Sequence, residues 1–208
     1  MPSSHLARTE RARLCDVLTE SGEVAPTLCE GWLTRDLVAH LFVRERRPVA
    51  MPGILLGGPL GQLTNRSMAS ALHRFGYAGL VAKVRSGPPL LWRPFDEFVN
   101  LVEFFVHTED VRRASPNFEP RSDAQLDAAL WSALGRMSRL LAHRVRGAGL
   151  DLERPDGARI VARRAQPRAV LGGGAQELVL FLYGRKQVAR VTLSGAGQQA
   201  VREARFGL

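Results

Sequence analysis

Apolar residues recur at helical spacing through the N-terminal part of the chain. Side chains three and four residues apart share one face of an α-helix, so this pattern predicts amphipathic helices. Pro48 should end the second helix, and the third should break near Gly76 and Gly79. The predicted helices cover residues 5–21, 34–47, 64–86, 95–114 and 122–146, with loops at 23–33 and 48–63.

The pattern changes after Gly147, where short alternating segments replace the long helical ones. Two strands are predicted on either side of the turn Pro155-Asp156-Gly157. A strand at 169–171, a helix at 176–183, a strand at 188–194 and a helix at 197–205 follow. The predicted fold class is therefore α plus α+β, with a helical domain at 1–146 and a small α+β domain at 147–208.

The composition is that of a folded globular protein. The chain has 208 residues, of which 45% are hydrophobic, which is enough for a substantial core. No uninterrupted apolar run reaches the roughly 18 residues that a membrane-spanning helix needs. The N-terminus also lacks the apolar segment of a signal peptide, so a cytoplasmic location and no membrane partner are expected.

The formal charge of +9 and the sequence pI near 11.0 are values typical of proteins that bind nucleic acid. The basic residues, however, are nearly all arginine and are spread along the chain, and their densest clusters include acids. We therefore expect no nucleic-acid partner. Small molecules are the expected partners, and the chain is expected to be a monomer or a homodimer.

Two cysteines are too few for a disulfide framework, and a cytoplasmic protein would keep both reduced. Cys15 falls in a helical pattern and is expected to be buried as a small apolar residue. Cys29 lies in the loop ahead of the second helix. Burial is the first expectation for Cys29 as well, although its position gives it a better chance of lying near a site.

The candidate chemistry lies in two helices. Glu103 and His107 are four residues apart and so lie on one helical face, one turn apart. His40 falls on the inward stripe of the second helix with Leu37 and Leu41. Two histidines and one carboxylate from facing helices are the ligand set of a catalytic zinc site, which leaves one coordination position open.

Structural alternatives compete with a metal at these positions. A Glu-x-x-x-His spacing arises often by chance, and a buried histidine is commonly a hydrogen-bonded core residue. Glu103 is predicted to be buried, where an unpaired carboxylate is costly, so it requires a cation or donor. That partner is either a metal ion or an arginine, Arg44 or Arg47.

Two aspartates are candidates to hold the second ring nitrogens of the histidines, as carboxylates around metal ligands do. Asp36 precedes His40 by four residues, and Asp110 follows His107 by three. Helix capping is the favoured alternative for Asp36. A salt bridge with Arg112 or Arg113 competes evenly for Asp110. The other three histidines have no comparable partners in sequence and are expected at the surface or in packing: His5, His73 and His143.

Several segments resemble a known family. Residues 29–41, Cys-Glu-Gly-Trp-Leu-Thr-Arg-Asp-Leu-Val-Ala-His-Leu, resemble the first metal-ligand segment of the DinB-like proteins, in particular of mycothiol-dependent maleylpyruvate isomerases. Residues 173–195 are similar to the small C-terminal domain of those isomerases, which is related to sterol carrier proteins. More narrowly, residues 44–48 and 103–113 resemble an actinobacterial subgroup described only as metal-binding.

The resemblance implies a DinB-like four-helix bundle that binds zinc or another divalent metal through His40, Glu103 and His107. It also implies chemistry with the thiol cofactor mycothiol. The leading hypothesis is a zinc-dependent, thiol-using transferase or isomerase acting on a small electrophile. The alternatives are a non-catalytic metal-binding or small-ligand-binding protein and a metal-dependent hydrolase. Three arginines could bind a carboxylate substrate, although salt bridges are the favoured role for each: Arg44, Arg47 and Arg112.

Overall fold

A computed structural model describes residues 3–46, 58–87 and 97–207 of the chain. Several predicted features lie outside the described residues: Arg47, the helix stop at Pro48, most of the predicted loop that follows it, and the first two residues of the helix predicted at 95–114. The chain divides into two compact units, Met1–Glu119 and Pro120–Leu208.

The first unit has four helices among its described residues. They are α1 (Ser3–Ser21), α2 (Thr34–Arg46), α3 (Gly58–Arg85) and α4 (Glu97–Arg112). Helix α1 packs mainly along α4, and α2 packs mainly along α3. All four predicted helices of this region are therefore present, with ends within a few residues of the predicted ones except at the start of α3.

Helix α3 differs from the prediction at its start and agrees with it at its break. Residues 58–63, predicted as part of a loop, belong to the helix. Its Gly58-Pro59 beginning is compatible with a helix, because proline in the first turn gives up only an N–H that would have no partner there. The break lies at Gly76, whose φ of 63° and ψ of 173° are non-helical, whereas Gly79 stays helical.

The core of the first unit is built by apolar faces of all four helices. Its fully buried members include Leu14 and Leu18 of α1, Leu37 and Leu41 of α2, Leu80 of α3 and Phe104 of α4. Cys15 belongs to this core, and its Sγ lies 3.8 Å from the carbonyl oxygen of Val81. Burial raises the pKa of the Cys15 thiol to about 11, which agrees with the expected apolar role.

The second unit combines helices with a small mixed sheet. Helix α5 (Ala124–Leu141) leads through the 3₁₀ turn Ala142–Arg144 into β1 (Gly149–Glu153), β2 (Arg159–Arg163) and β3 (Arg168–Gly172). Helix α6 (Ala175–Leu182), strand β4 (Thr192–Ser194) and helix α7 (Gln198–Glu203) follow. The strand order is β2-β1-β3-β4. The central pair β1–β3 is parallel, and the two outer pairs are antiparallel.

One predicted strand boundary in this unit differs from the structure. Strand β4 is confined to residues 192–194 rather than 188–194, because the backbone N–H groups of Val188 and Ala189 both donate to the Arg185 carbonyl in a turn. The predicted domain boundary placed α5 with the N-terminal helices. In the structure α5 packs against α6 and β2, and the compact units divide ahead of α5.

The described residues thus form a helix-rich protein with one four-stranded sheet, which confirms the predicted combination of α and α+β structure. Among these residues, no helix has both the length and the apolar character needed to cross a membrane.

Candidate metal centre

The start of α2 fixes the position of His40. The backbone N–H of Leu33 donates to Asp36 Oδ2 at 3.0 Å, which caps the first turn of α2. From this start, helical spacing directs His40 to the same side as the fully buried Leu37 and Leu41. His40 is 5% exposed, so its ring lies inside the first unit rather than in solvent.

Helix α4 supplies two further side chains. Glu103 and His107 are one turn apart, and the intervening Phe104 and Phe105 are fully buried and hold this part of the helix in the core. The side chain of Glu103 is 17% exposed and that of His107 is 10% exposed. The predicted largely buried position of this face of α4 therefore agrees with the structure.

The three side chains converge on one oxygen atom. Glu103 Oε1 lies 3.2 Å from His107 Nε2 and 3.6 Å from His40 Nε2. The two imidazole rings are 5.6 Å apart and nearly perpendicular, at 71°. One ligand atom from each residue lies within 4.8 Å of the other two. The structure thus brings together the three residues that the sequence analysis proposed as metal ligands.

Arg44 is one of the partners of Glu103 that the sequence analysis proposed. Its Nε lies 3.3 Å from Glu103 Oε1, and its Nη1 donates to Asn100 Oδ1 of α4. The guanidinium therefore holds the carboxylate from the side of α2. Arg112, the other described arginine considered for substrate binding, instead donates to Glu109 and to the Glu119 carbonyl.

Asp110 holds His107 from the opposite side of the ring. Asp110 is fully buried, and its Oδ2 lies 2.9 Å from His107 Nδ1. The same oxygen accepts from Cys29 Sγ at 3.2 Å, and the Asp110 carbonyl accepts from the Leu28 N–H at 3.0 Å. The loop between α1 and α2 is thereby bonded to α4 beside the candidate centre.

Cys29 therefore lies closer to the candidate chemistry than its expected burial suggested. It is half-buried, and together with His107 and Asp110 it forms a second group of potential metal ligands that shares His107 with the first. The two groups use different nitrogens of the His107 ring: Nε2 points toward Glu103 and Nδ1 toward Asp110.

Asp36 does not reach His40, which corrects one of the two expectations for the neighbouring aspartates. Its carboxylate is engaged in capping α2, and His40 Nδ1 is buried with no hydrogen-bond partner among the described residues. The reason is geometric: a carboxylate bonded to the backbone N–H of Leu33, the residue before α2, is held at the helix end, away from the ring one turn later.

Trp32 was not singled out from the sequence, although it lies in the same loop as Cys29. Its ring centroid is 5.1 Å from that of His40, and the rings are tilted by 53°. An aromatic residue in a short loop just ahead of a candidate ligand helix was the available signal. Asn100, which accepts from Arg44, carried no such signal.

The protonation of the centre follows from burial and from its ion pairs. Burial, opposed by Glu103, lowers the pKa of His40 and so favours its neutral form. Burial opposes ionisation of Glu103, but hydrogen bonds with His107 and His40 outweigh it and hold the pKa of Glu103 well below its ordinary value. Burial also opposes protonation of His107, but Asp110, Cys29 and Glu103 outweigh it and raise the pKa of His107 well above its ordinary value.

The remaining histidines are not part of this arrangement. His5, His73 and His143 are all exposed, as the sequence analysis expected for residues without comparable partners. The candidate centre of the first unit therefore consists of three potential ligands supported by Arg44 and Asp110.

No protein-family model matches the chain, and neither does any of the curated proteins searched. Two solved structures do match. The mycothiol-dependent maleylpyruvate isomerase is 18% identical, with a TM-score of 0.60, and the match covers 92% of this chain and 91% of that one. A histidine-to-alanine mutant of that isomerase gives 17% identity and a TM-score of 0.61 over the same shares. The chain therefore shares the fold of a mycothiol-dependent isomerase along nearly its whole length, as the sequence resemblance indicated.

Proposed function

We propose that the protein binds a zinc-type divalent metal through His40, Glu103 and His107 and uses it to activate a low-molecular-weight thiol, such as mycothiol. The thiol then attacks a small electrophile in a transfer or isomerisation reaction. The observation that carries this proposal is the convergence of two imidazole nitrogens and one carboxylate oxygen within 4.8 Å of one another. The shared fold with a mycothiol-dependent isomerase supports the choice of thiol.

The donor set fits such a metal. Two imidazole nitrogens and one carboxylate oxygen are ligands that zinc accepts, and three protein ligands leave a coordination position for an exogenous group. The lowered pKa of His40 favours the neutral ring that a metal requires, and the lowered pKa of Glu103 favours the carboxylate. His107 has to release a proton from Nε2, so metal uptake should be accompanied by proton release.

A bound zinc-type ion would act as a Lewis acid that lowers the pKa of a coordinated thiol toward neutral pH, where the thiolate is the nucleophile. The protein's own residues prepare the site for this chemistry. Asp110 orients the His107 ring through Nδ1 and leaves Nε2 facing Glu103. Arg44 holds Glu103 Oε1 and offsets the carboxylate charge within a largely buried environment.

The finer description of the fold belongs to the same proposal. We assign the helices of the first unit to a DinB-like four-helix bundle. The sheet and helices after Gly147 correspond to the small sterol-carrier-like domain of the isomerases. Helix α5 would then be the linking element whose contacts lie with the second unit, although the predicted domain boundary at 146/147 places it in the first domain.

The proposal is tested by titrating metal-free protein with zinc and then with mycothiol in a calorimeter. We expect one zinc per chain, followed by a second heat when mycothiol is added to the zinc form. His107→Ala should abolish stoichiometric zinc retention. The matched control is His73→Ala, because His73 is an exposed histidine of the same unit outside the candidate centre.

Three outcomes would contradict the proposal. Equal zinc retention by the His107→Ala and wild-type proteins would remove the assigned ligands. Zinc binding without any heat on thiol addition would favour a non-catalytic metal-binding protein. Turnover of ester or amide substrates by the zinc form without a thiol would favour a hydrolase.

A further inference from the structure

The net charge of the protein is concentrated in the second unit. Residues 1–119 carry 14 basic and 13 acidic side chains, whereas residues 120–208 carry 15 basic and 7 acidic ones. The second unit therefore accounts for +8 of the formal +9. The even spread of arginines along the sequence conceals this asymmetry, because it arises from the uneven distribution of the acids. Such an asymmetry between two parts of a chain indicates an anionic partner.

Part of this positive charge surrounds a cavity of about 530 Å³ within the second unit. One wall comes from the 3₁₀ turn after α5 and the residues that follow it, with His143, Arg144 and Arg146. The other wall comes from α7 and the residues just after it, with Glu203 and Arg205. Three arginines and one glutamate thus line a cavity whose volume suits a small organic molecule.

Two of the three arginines of the cavity are available to a ligand in a way that arginines of the sheet are not, whereas Arg144 Nη1 donates to the Gly207 carbonyl oxygen at 3.1 Å. Arg159 is paired with Glu153, and Arg168 is paired with Asp151. By contrast, Arg146 and Arg205 are exposed and form no hydrogen bond or ion pair with any described residue. The like charges of Arg146 and Arg205 line one cavity and repel each other, and an anion bound there would offset this repulsion.

The helix end beside the cavity does not oppose an anion. The C-terminus of a helix carries partial negative charge on its last carbonyl groups. Here Lys186 Nζ donates to the carbonyl oxygens of Val201, Arg202 and Ala204 at the end of α7. Glu203 is the single carboxylate of the cavity wall, and its Oε1 accepts from Gln199 at 2.6 Å.

We propose that this cavity is a binding site for a small polyanion, a molecule with at least two phosphate or carboxylate groups, held by Arg144, Arg146 and Arg205. Guanidinium groups bind phosphate and carboxylate through paired hydrogen bonds, which gives them geometric as well as electrostatic selectivity. The lining residues include no Phe, Tyr or Trp on which nucleic-acid bases could stack. A small polyanion therefore fits this cavity better than a single-stranded nucleic acid does.

The test is calorimetric titration of the full chain with inorganic pyrophosphate at low ionic strength, with citrate as a carboxylate probe. Arg146→Ala/Arg205→Ala should raise the dissociation constant for pyrophosphate about tenfold or more, because hydrogen bonds to charged groups are lost. The matched control is Arg139→Ala/Arg164→Ala, which removes the same charge from exposed positions of the same unit outside the cavity. The control should change the constant by less than about threefold, through long-range charge alone.

The two probes identify the chemical class. Binding of pyrophosphate alone indicates phosphate recognition, binding of citrate alone indicates carboxylate recognition, and binding of both indicates a general polyanion site. Because pyrophosphate also binds metals, the titration is repeated with His107→Ala protein. Unchanged affinity there separates this cavity from the proposed metal centre.

Four results would overturn the proposal. The first is that neither probe binds saturably, and the second is that the two double variants lose affinity equally. The third is that the His107→Ala protein loses pyrophosphate binding. The fourth is that a single-stranded oligonucleotide binds and displaces pyrophosphate from the cavity arginines. The last result would indicate a nucleic-acid surface instead.

Discussion

Replacing Asp110 with asparagine should weaken zinc binding while leaving the shape of the site intact. Asp110 is fully buried and contacts His107 Nδ1 at 2.9 Å and Cys29 Sγ at 3.2 Å. Asparagine is nearly isosteric but carries no charge. Removing the carboxylate partner of a metal-bound histidine costs about 10- to 100-fold in metal affinity. That loss corresponds to about 1.4–2.8 kcal/mol of binding free energy.

Two effects of this substitution oppose each other, and pH separates them. Without Asp110 the pKa of His107 should fall, because burial then opposes protonation with less compensation. Less proton competition favours zinc, whereas weaker orientation and basicity of the ring disfavour it. At a pH above the raised pKa of His107, competition from protons is small for both proteins, so the loss of affinity should be larger there than at about pH 6.5.

The assay is competition for zinc between the protein and a chelating dye of known affinity, at both pH values. Asp36→Asn is the matched control, because Asp36 stands four residues from His40 but only caps α2. The asparagine oxygen can still accept from the Leu33 N–H, so the variant should lose only the charge effect at the helix N-terminus, about 0.3–1 kcal/mol of the free energy of unfolding, and leave zinc affinity unchanged. The reasoning is refuted if folded Asp110→Asn binds zinc within about twofold of wild type at the alkaline pH, or if Asp36→Asn loses as much affinity.

Three further predictions concern the stability of the metal-free protein. The raised pKa of His107 stabilises the folded protein below pH 6.5, its ordinary pKa, and this stabilisation is lost as the pH rises through the raised pKa. The lowered pKa of Glu103 stabilises the folded protein above pH 4.5, and this stabilisation is lost as the pH falls through the lowered pKa. The free energy of unfolding, measured with urea in the presence of a chelator, should therefore decrease at alkaline pH. An equal decrease in the His107→Ala protein would show that His107 is not its cause. Between pH 9 and 11, wild type should lose about 2 kcal/mol of the free energy of unfolding relative to Cys15→Ala, because the pKa of the thiol is about 11 in the folded protein and 9.0 in the unfolded chain. Parallel pH profiles of the two proteins would argue against this. Gly76→Ala should lower the free energy of unfolding by about 1–3 kcal/mol, because φ 63° and ψ 173° suit only glycine. Gly79→Ala, in the helical part of α3, should be neutral or stabilising. Equal thermal midpoints for the two variants would be evidence against strain at Gly76.

Helical periodicity was sufficient to predict the elements that carry the candidate centre. His40 falls on the same helix face as Leu37 and Leu41. Because this face packs on the core, the His40 side chain is directed toward the core as well. The four-residue spacing likewise predicts that Glu103 and His107 share a face. That α2 and α4 meet at these residues could not be derived from periodicity. It was a hypothesis drawn from the ligand types, and the family resemblance implied the same three positions.

The surroundings of the centre were less predictable because they depend on loop conformation. Cys29 reaches Asp110 only because the loop between α1 and α2 is bonded to α4 through the Leu28 N–H. Asp36 illustrates the opposite error, since a spacing of four residues does not bring two side chains together when one of them caps the helix. Helix α5 shows a further limit, because an amphipathic pattern does not reveal which unit its apolar face contacts.

The contact between Trp32 and His40 provides an optical probe within the protein itself. Indole fluorescence is quenched by a neighbouring protonated imidazole and changes when that imidazole becomes coordinated. The ring centroids of Trp32 and His40 are 5.1 Å apart, so the emission of Trp32 should report the state of His40 directly. The chain has three tryptophans, and substituting Trp92 and Trp131 by phenylalanine would leave Trp32 as the single indole. Metal occupancy could then be followed in real time without any external label.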